Sequence, residues 1–211
     1  FDVVQGYINS LLIAGATTGL TVLFSALTAY GLTVYDFKLR SAAYTFIIAV
    51  MMIPVQVSSA GFVRFMYQLG LINSFIPLIV PAIAAPAVIF FMRSYMKSSF
   101  PLDIVEAARI DGCGYMGCLF KIMLPSSVSG ITTAALFSFL GHWKSYQWPL
   151  IVTNSTDLRT LPIGLKYLVQ ESSSEYQVMM AAAVMTVVPV LIVYSIYEKQ
   201  LVKSITLTGI K

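Results

Sequence analysis

The fold is decided by the stretch VVQGYINSLLIAGATTGLTVLFSALTAYGLTVY, residues 3–35, which carries no Asp, Glu, Lys or Arg over 33 residues. The hydrocarbon core of a bilayer is about 30 Å thick, so a helix needs about 20 predominantly apolar residues to cross it. Four further runs meet that length without a charged residue, namely 41–63, 65–92, 122–143 and 176–197. Lipid cannot form hydrogen bonds with backbone N–H and C=O groups, so a spanning segment must satisfy them itself. No run alternates apolar and polar residues as a barrel strand does. The runs therefore predict membrane helices and not barrel strands.

The composition supports the same class. Of the 211 residues, 58% are hydrophobic and only 10% are charged, whereas a soluble domain carries about 25% charged residues. This excludes a soluble enzyme, a disordered chain, a disulfide scaffold and a coiled coil. The net charge of +4 does not indicate nucleic-acid binding, because the cations stand singly or in pairs at the ends of apolar runs. Cys113 and Cys118 lack further Cys or His neighbours, so ordinary thiols are favoured over metal ligands.

The expected fold class is an all-α, polytopic membrane helix bundle, with one transmembrane domain over residues 1–211. The apolar pattern predicts five spans, near residues 8–35, 41–67, 75–96, 122–143 and 178–201. Proline removes a helix hydrogen bond and kinks the helix. Several spans are therefore expected to bend at the prolines within or beside them, which are Pro54, Pro77, Pro81, Pro86 and Pro189.

The distribution of Lys and Arg predicts the orientation. With five spans, the loops fall into two sets, and membrane proteins keep their excess of cations in the cytoplasm. The richer set, expected inside, consists of Lys38, Arg40, Arg93, Lys97, Arg109, Lys121, Lys199, Lys203 and Lys211. The poorer set, expected outside, consists of Arg64, Lys144, Arg159 and Lys166. The C-terminus is then cytoplasmic, the start of the chain lies outside, and a sixth membrane helix is expected before Phe1.

The predicted spans carry no charged residue away from their ends. Carriers driven by protons or ions usually contain buried carboxylates or histidines as relays. The sequence therefore argues against a proton-coupled carrier. The driving force is expected from outside the bilayer core of this chain.

The loop over residues 98–121 is the most informative segment. Pro101 suits a first helical position and Asp103 suits the first turn, so a short helix is expected to run to about Asp111. Gly112 and Gly114 allow a sharp turn with positive φ, and a second short helix is expected over residues 115–123. Such a pair is too short to be stable alone in water. It must pack against its own bundle or against a cytoplasmic partner.

The letters of this loop match a known signature, EAA-x3-G-x9-I-x-LP, at Glu106-Ala107-Ala108, Gly112, Ile122 and Leu124-Pro125. The chain therefore resembles the membrane subunits, or permeases, of ATP-binding-cassette importers. Shorter matches extend over nearly the whole chain and resemble the carbohydrate-uptake branch, in particular its second maltose-type permease component. They are Asn9-Ser10-Leu11, Trp148-Pro149-Leu150, residues 160–165 and, more loosely, the tail 207–211.

The resemblance implies a subunit of an ATP-driven importer of oligosaccharides or related sugars in the cytoplasmic membrane of a bacterium. It implies four kinds of partner: a second, homologous permease subunit, two ATP-binding subunits, an extracytoplasmic solute-binding protein and membrane lipid. ATP and Mg would be bound by the partner subunits, since this chain contains no P-loop, and no cofactor, metal or catalytic residue is expected here. The residues expected to couple to the ATPase are Glu106, Ala107, Ala108, Arg109, Asp111, Gly112, Ile122, Leu124 and Pro125.

The outer loop over residues 144–177 leaves two interpretations open. Trp143, Tyr146, Gln147 and Trp148 combine aromatic faces with an amide, which suits contact with sugar rings or with a receptor. An interfacial aromatic belt, or simple packing, explains the same residues.

Alternatives remain for the whole chain as well. The residue 98–121 loop could instead be an amphipathic helix on the membrane surface, although Asp103, Glu106 and Asp111 suit an anionic leaflet poorly. The chain could also be a channel or scaffold subunit without ATP coupling, which would need no ATPase partner. A membrane-embedded enzyme is the third class, and it lacks a polar cluster at membrane depth.

Overall fold

The computed structural model describes residues 2–99, 101–171 and 176–208, and within these residues every regular element is helical. The long or paired helices are α1 (Val3–Val34), α2 (Arg40–Met51), α3 (Val55–Gln68), α4 (Ile76–Ile83), α5 (Pro86–Ser99), α9 (Val128–Trp143) and α12 (Tyr176–Thr208). The short ones are α6 (Asp103–Ile110), α7 (Tyr115–Cys118), α8 (Leu124–Ser126), α10 (Gln147–Val152) and α11 (Leu161–Glu171). A π-helical turn, Leu119–Met123, joins α7 to α8, and a 3-10 turn, Thr156–Leu158, precedes α11.

Helix α1 lies at the centre of the bundle and contacts α4, α5, α9 and α11. Most residues of its buried face are small or hydroxyl-bearing, with Ile13 and Leu32 as larger apolar ones. Other large apolar residues, such as Leu23 and Phe24, are exposed. Lipid is as apolar as a leucine side chain, so burying bulky residues offers little advantage in a membrane, and small residues let helix backbones approach closely. The centre of the bundle therefore depends on the small residues of α1, which are Gly6, Ala14, Thr17, Thr21, Ser25, Ala26 and Ala29.

Prolines break or perturb the other helices, and side chains compensate for the lost hydrogen bonds. A proline has no N–H, so the carbonyl four residues earlier loses its helical partner. The Ala82 carbonyl, four residues before Pro86, accepts a hydrogen bond of 2.7 Å from Thr21 Oγ1. The Pro77 carbonyl, four residues before Pro81, accepts one of 2.8 Å from Trp148 Nε1.

The same arrangement occurs in α12. The Met185 carbonyl lies four residues before Pro189 and accepts a hydrogen bond from the hydroxyl of Tyr7. Two of these three carbonyls, those of Ala82 and Met185, are thus bound by hydroxyls of α1. These bonds link α1 to α4 and to α12, in addition to the close packing of α1 against α4.

Three helical segments are long and apolar enough to cross a membrane, namely Val3–Val34, Ile76–Ser98 and Tyr176–Glu198. Two bent pairs raise the number to five if each pair is one span. The first pair, α2 with α3, bends by 99° at the break that contains Pro54, as the proline pattern predicts. The total of five spans in this chain stays a prediction, and the C-terminal residues 209–211 lie outside the described part.

The second bent pair corrects the predicted fourth span. The sequence predicts one helix over residues 122–143, but the helix of the bundle begins at Val128, and the segment Tyr115–Ser126 makes an angle of 79° with it. Pro125 lacks the N–H that a continuous ladder needs, and the π-helical turn lies directly before it. Ile122, Leu124 and Pro125 therefore belong to the bent segment.

The bundle has two distinct ends. At the first, Arg40 and Arg93 approach the Leu32 carbonyl at the end of α1, and Tyr115 accepts a hydrogen bond from Tyr30. At the second, Asn9 binds the carbonyls of residues 157 and 159. The predicted inner cations Arg40, Arg93 and Arg109 are thus at the opposite end from Arg159 and Lys166.

Candidate functional site

The signature loop forms one continuous element, residues 103–126, which we call the EAA element. Helix α6 has Asp103 and Glu106 in its first turn and Arg109 in its last, which matches the sign of the helix dipole at each end. Gly112 has φ +85° and provides the predicted turn. Gly114, which could also allow positive φ, has φ −68° and ψ 165°, which is extended backbone. One left-handed residue is sufficient, because the Cys113 N–H already bonds the Ala108 carbonyl at 2.9 Å.

One face of the EAA element is anchored in the bundle. Val105 is 2% exposed and Cys118 is 0% exposed. They belong to an apolar core with Met92 and Met96 of α5 and with Tyr30 of α1. Leu119 and Met123 of the π-helical turn lie in the same core, and Ile122 and Leu124 pack against it.

The opposite face of the element is exposed. Ile110 is 87% exposed, and Glu106, Ala107 and Asp111 are exposed beside it. Ala108 is half-buried and packs against the chain's own core, so of the two adjacent alanines only Ala107 is free to approach another protein. The coupling residues predicted from the sequence therefore divide into an outward group and an anchoring group.

Three tyrosines and an arginine connect the element to α1. The Arg109 guanidinium carbon lies 4.7 Å from the Tyr115 ring centroid, and its Nη2 donates to the Tyr115 hydroxyl at 3.0 Å. The Tyr115 ring packs edge-on against Tyr35 at 5.0 Å. Tyr30 donates to the Tyr115 carbonyl at 3.0 Å and accepts a hydrogen bond of 3.2 Å from the Tyr35 hydroxyl. Arg109 thus has a structural contact within the chain, which sequence reasoning missed.

Burial also distinguishes the two cysteines of the element. Cys113 is half-buried and Cys118 is fully buried, and both are free thiols. Burial, with a smaller contribution from the neighbouring Cys113 thiol, raises the pKa of Cys118. The thiol of Cys118 therefore stays protonated and acts as a small apolar side chain.

A cavity of about 780 Å³ lies at the second end of the bundle. Its wall is mostly apolar, with Phe62 and Trp148 as aromatic positions. The polar positions are Ser10, Ser58, Ser59, His142, Ser145 and Thr160. The Phe62 and Trp148 rings are 5.3 Å apart. Aromatic faces beside hydroxyl groups are suited to a sugar ring.

The four outer-loop residues predicted from the sequence do not form one cluster. Trp148 lines the cavity, whereas Trp143 is 2% exposed, stacks on Phe139 at 5.9 Å, and donates to the Thr186 carbonyl at 3.1 Å. For Trp143 the structure therefore supports the packing interpretation. Gln147 is exposed.

Tyr146 does not line the cavity; it contacts Lys166 instead. The Lys166 ammonium donates to the Tyr146 hydroxyl at 2.5 Å and lies 5.1 Å from the ring centroid. This hydrogen bond raises the pKa of Lys166. The pair is exposed, so a docking protein could reach it.

Two asparagines hold the outer loop in place. Asn9 donates to the carbonyls of Asp157 and Arg159 at 2.7 and 3.0 Å. Ser10 accepts a hydrogen bond of 2.8 Å from the Leu161 N–H at the start of α11. Asn73, at φ 64°, accepts bonds from the N–H groups of residues 154 and 155. The Asn9-Ser10 pair at the start of the chain thus has a structural role.

Comparison with known proteins agrees with the fold. Residues 21–206 match the family model described as the binding-protein-dependent transport system inner membrane component. The arabinooligosaccharides transport system permease protein AraQ of Halalkalibacterium halodurans is 36% identical over 203 residues, covering 96% of this chain and 72% of that protein. The lactose transport system permease protein LacG of Rhizobium radiobacter is 33% identical over 202 residues, covering 96% and 74%.

A solved structure shows the same fold. It is a bacterial ABC transporter involved in the import of the acidic polysaccharide alginate. Its matched chain superposes with a TM-score of 0.80 at 22% identity, covering 92% of this chain and 74% of that one. From the family match and these relatives, this chain belongs to the binding-protein-dependent transport system inner membrane components and is a permease subunit of an ATP-binding-cassette importer.

Proposed function

We propose that this subunit imports an oligosaccharide or a related sugar, and that it forms the translocation path together with a second, similar permease subunit. The names of its relatives support the substrate class, since they transport arabinooligosaccharides and lactose. The cavity at the second end of the bundle supports it as well, because Trp148 and Phe62 stand beside serine hydroxyls there. A sugar ring presents apolar faces and hydroxyl edges, which these two kinds of residue complement.

The observation that carries the proposal is the two-sided EAA element. Its inner face is fixed in the bundle through Val105, while Glu106, Ala107 and Ile110 face outward. We assign the outer face to docking on an ATP-binding subunit, one such subunit beneath each of the two permeases. Glu106 can pair with a cation of that subunit, and Ala107 allows close approach. ATP and Mg would be bound there, and this chain performs no covalent chemistry.

Movement can then pass from the ATPase to the membrane through existing contacts. The EAA element moves as a rigid body because its core is tightly packed. Arg109 and the three tyrosines connect it to α1, and its last part, α8, continues through Ser127 into α9. Helices broken at Pro54 and at Ser127 provide the hinges for alternate access to the two sides.

The sidedness belongs to the same proposal. The end with Arg40, Arg93 and Arg109 lies in the cytoplasm, with the C-terminus, and the end with the cavity lies outside. The loop over residues 144–177 then faces the solute-binding protein, and Lys166 with Tyr146 offers that protein an exposed polar contact. The exposed apolar faces of α2 and α12 contact lipid or the second permease.

Changes of charge at Glu106 and Gly112 test this proposal. Glu106→Lys and Gly112→Asp should abolish uptake of the sugar by the intact transporter and uncouple its ATP hydrolysis from transport, while the protein still inserts. Glu198→Lys is the matched control, because it makes the same exchange at an exposed position of α12. Normal uptake by both EAA variants would overturn the coupling assignment. Sugar flux that needs no ATPase would instead indicate a channel.

A further inference from the structure

A second cavity, of about 660 Å³, lies at the end of the bundle near the EAA element. It is formed by the turn between α1 and α2, by the start of α2 and by Arg93 of α5. Three of its lining residues are cations, Lys38, Arg40 and Arg93, and one is an acid, Asp36. The cavity therefore has a net charge of +2. Transport does not require these residues for any step described above.

The two guanidinium groups are held in place by the protein. Arg40 donates from Nε to the Leu32 carbonyl at 2.9 Å and from Nη2 to the Thr33 carbonyl at 3.1 Å. Arg93 stacks on the Tyr44 ring, with its central carbon 3.7 Å from the centroid. An arginine has five N–H donors, and Arg40 uses two of them, so three remain. Fixed donors around a positive cavity fit the oxygens of a phosphate group.

The surroundings favour a lipid phosphate over a soluble one. None of the twelve residues of α2, all of which lie in the described part of the chain, is buried. Phe46 is 69% exposed and Phe90 is 38% exposed, and Tyr44 stacks on Phe90 with a centroid distance of 6.3 Å. An apolar surface thus runs from the cavity along α2 and α5 into the membrane. Acyl chains can lie on this surface while the head group occupies the cavity.

We propose that this cavity binds the head group of an anionic phospholipid at the membrane surface. Basic pockets between membrane helices are attracted to anionic head groups, with about 1 kcal/mol for each Lys or Arg near the surface. That value corresponds to about a fivefold change in affinity for each cation removed. Zwitterionic lipid, whose net charge is zero, binds more weakly.

Native mass spectrometry of the delipidated intact transporter tests the site. The probes are dioleoylphosphatidylglycerol, dioleoylphosphatidylcholine and inorganic phosphate. We expect saturable binding of phosphatidylglycerol, weakened about fivefold by Lys38→Gln and by Arg93→Gln. Arg93→Lys keeps the charge and should restore part of the affinity. Lys97→Gln is the matched control, because Lys97 is an exposed cation near the end of the same helix, outside the cavity.

Two outcomes would overturn the proposal. Equal binding of phosphatidylglycerol by the Lys38, Arg93 and Lys97 variants would show that the lipid does not use this cavity. Binding of inorganic phosphate as tightly as the lipid would assign the cavity to a soluble anion. Lys38 is exposed on the turn, so its variant remains informative if Arg93→Gln fails to fold. Uptake and ATPase activity need not change in any variant, so this test is independent of the coupling proposal.

Discussion

Replacing Thr21 with Val should destabilise the bundle measurably, although the two side chains have almost the same shape. Thr21 is 0% exposed and its hydroxyl donates at 2.7 Å to the Ala82 carbonyl, which Pro86 leaves without a helical partner. Lipid cannot replace this donor. Side-chain hydrogen bonds between membrane helices average about 0.6 kcal/mol, and a buried acceptor left without a donor costs about 1–3 kcal/mol. We therefore expect a loss of about 1 kcal/mol.

That loss corresponds to a fall of about 2–4 °C in unfolding temperature for a chain of this size. Unfolding can be followed by maleimide labelling of Cys118, which is fully buried, in a Cys113→Ser background. Thr28→Val is the matched control, because half-buried Thr28 bonds only the Phe24 carbonyl of its own helix. Equal unfolding temperatures for the two variants would refute the idea that Thr21 stabilises the break at Pro86.

Three further predictions concern the two ends of the bundle. At pH 9, Tyr146→Phe should speed acylation of Lys166, because the hydrogen bond from Lys166 to Tyr146 raises the pKa of the amine and so lowers its neutral, reactive fraction; peptide mass spectrometry measures the rate, and an unchanged rate contradicts the pairing. In the native protein, maleimide should label half-buried Cys113 long before Cys118, and equal rates would contradict the anchoring of the EAA element. Gly112→Ala should lower the free energy of unfolding by about 1 kcal/mol. The positive φ is the only cause, because an added Cβ would meet open space. An unchanged free energy of unfolding would contradict the left-handed turn at Gly112.

The sequence predicts the helical class and the EAA element well, because both depend on local patterns. Charge-free runs of sufficient length specify helices in lipid, and the spacing of the signature places Gly112 at the turn. Both Gly112 and Gly114 allow positive φ, and only Gly112 adopts it, since a glycine permits this conformation without requiring it. The start of the fourth span was misplaced because hydropathy alone does not detect a 79° bend at Ser127.

Contacts between distant residues could not be predicted. The bonds from Thr21 to Ala82 and from Trp148 to Pro77 join residues 61 and 71 positions apart, and only the packed bundle brings them together. The connection of Tyr30 to Tyr115 has the same origin. For a single sequence, a proline indicates which carbonyl needs a donor, but it does not indicate which side chain provides one.

Photo-crosslinking from the outward face of the EAA element tests the central claim most directly. A photoreactive amino acid in place of Ile110, which is 87% exposed, should capture an ATP-binding subunit in the assembled transporter. The same amino acid in place of Phe46, which is exposed on α2 at 69%, should capture no such subunit. If position 110 reacts only with lipid, or with nothing, while the assembled transporter still hydrolyses ATP, the EAA element is not the docking site.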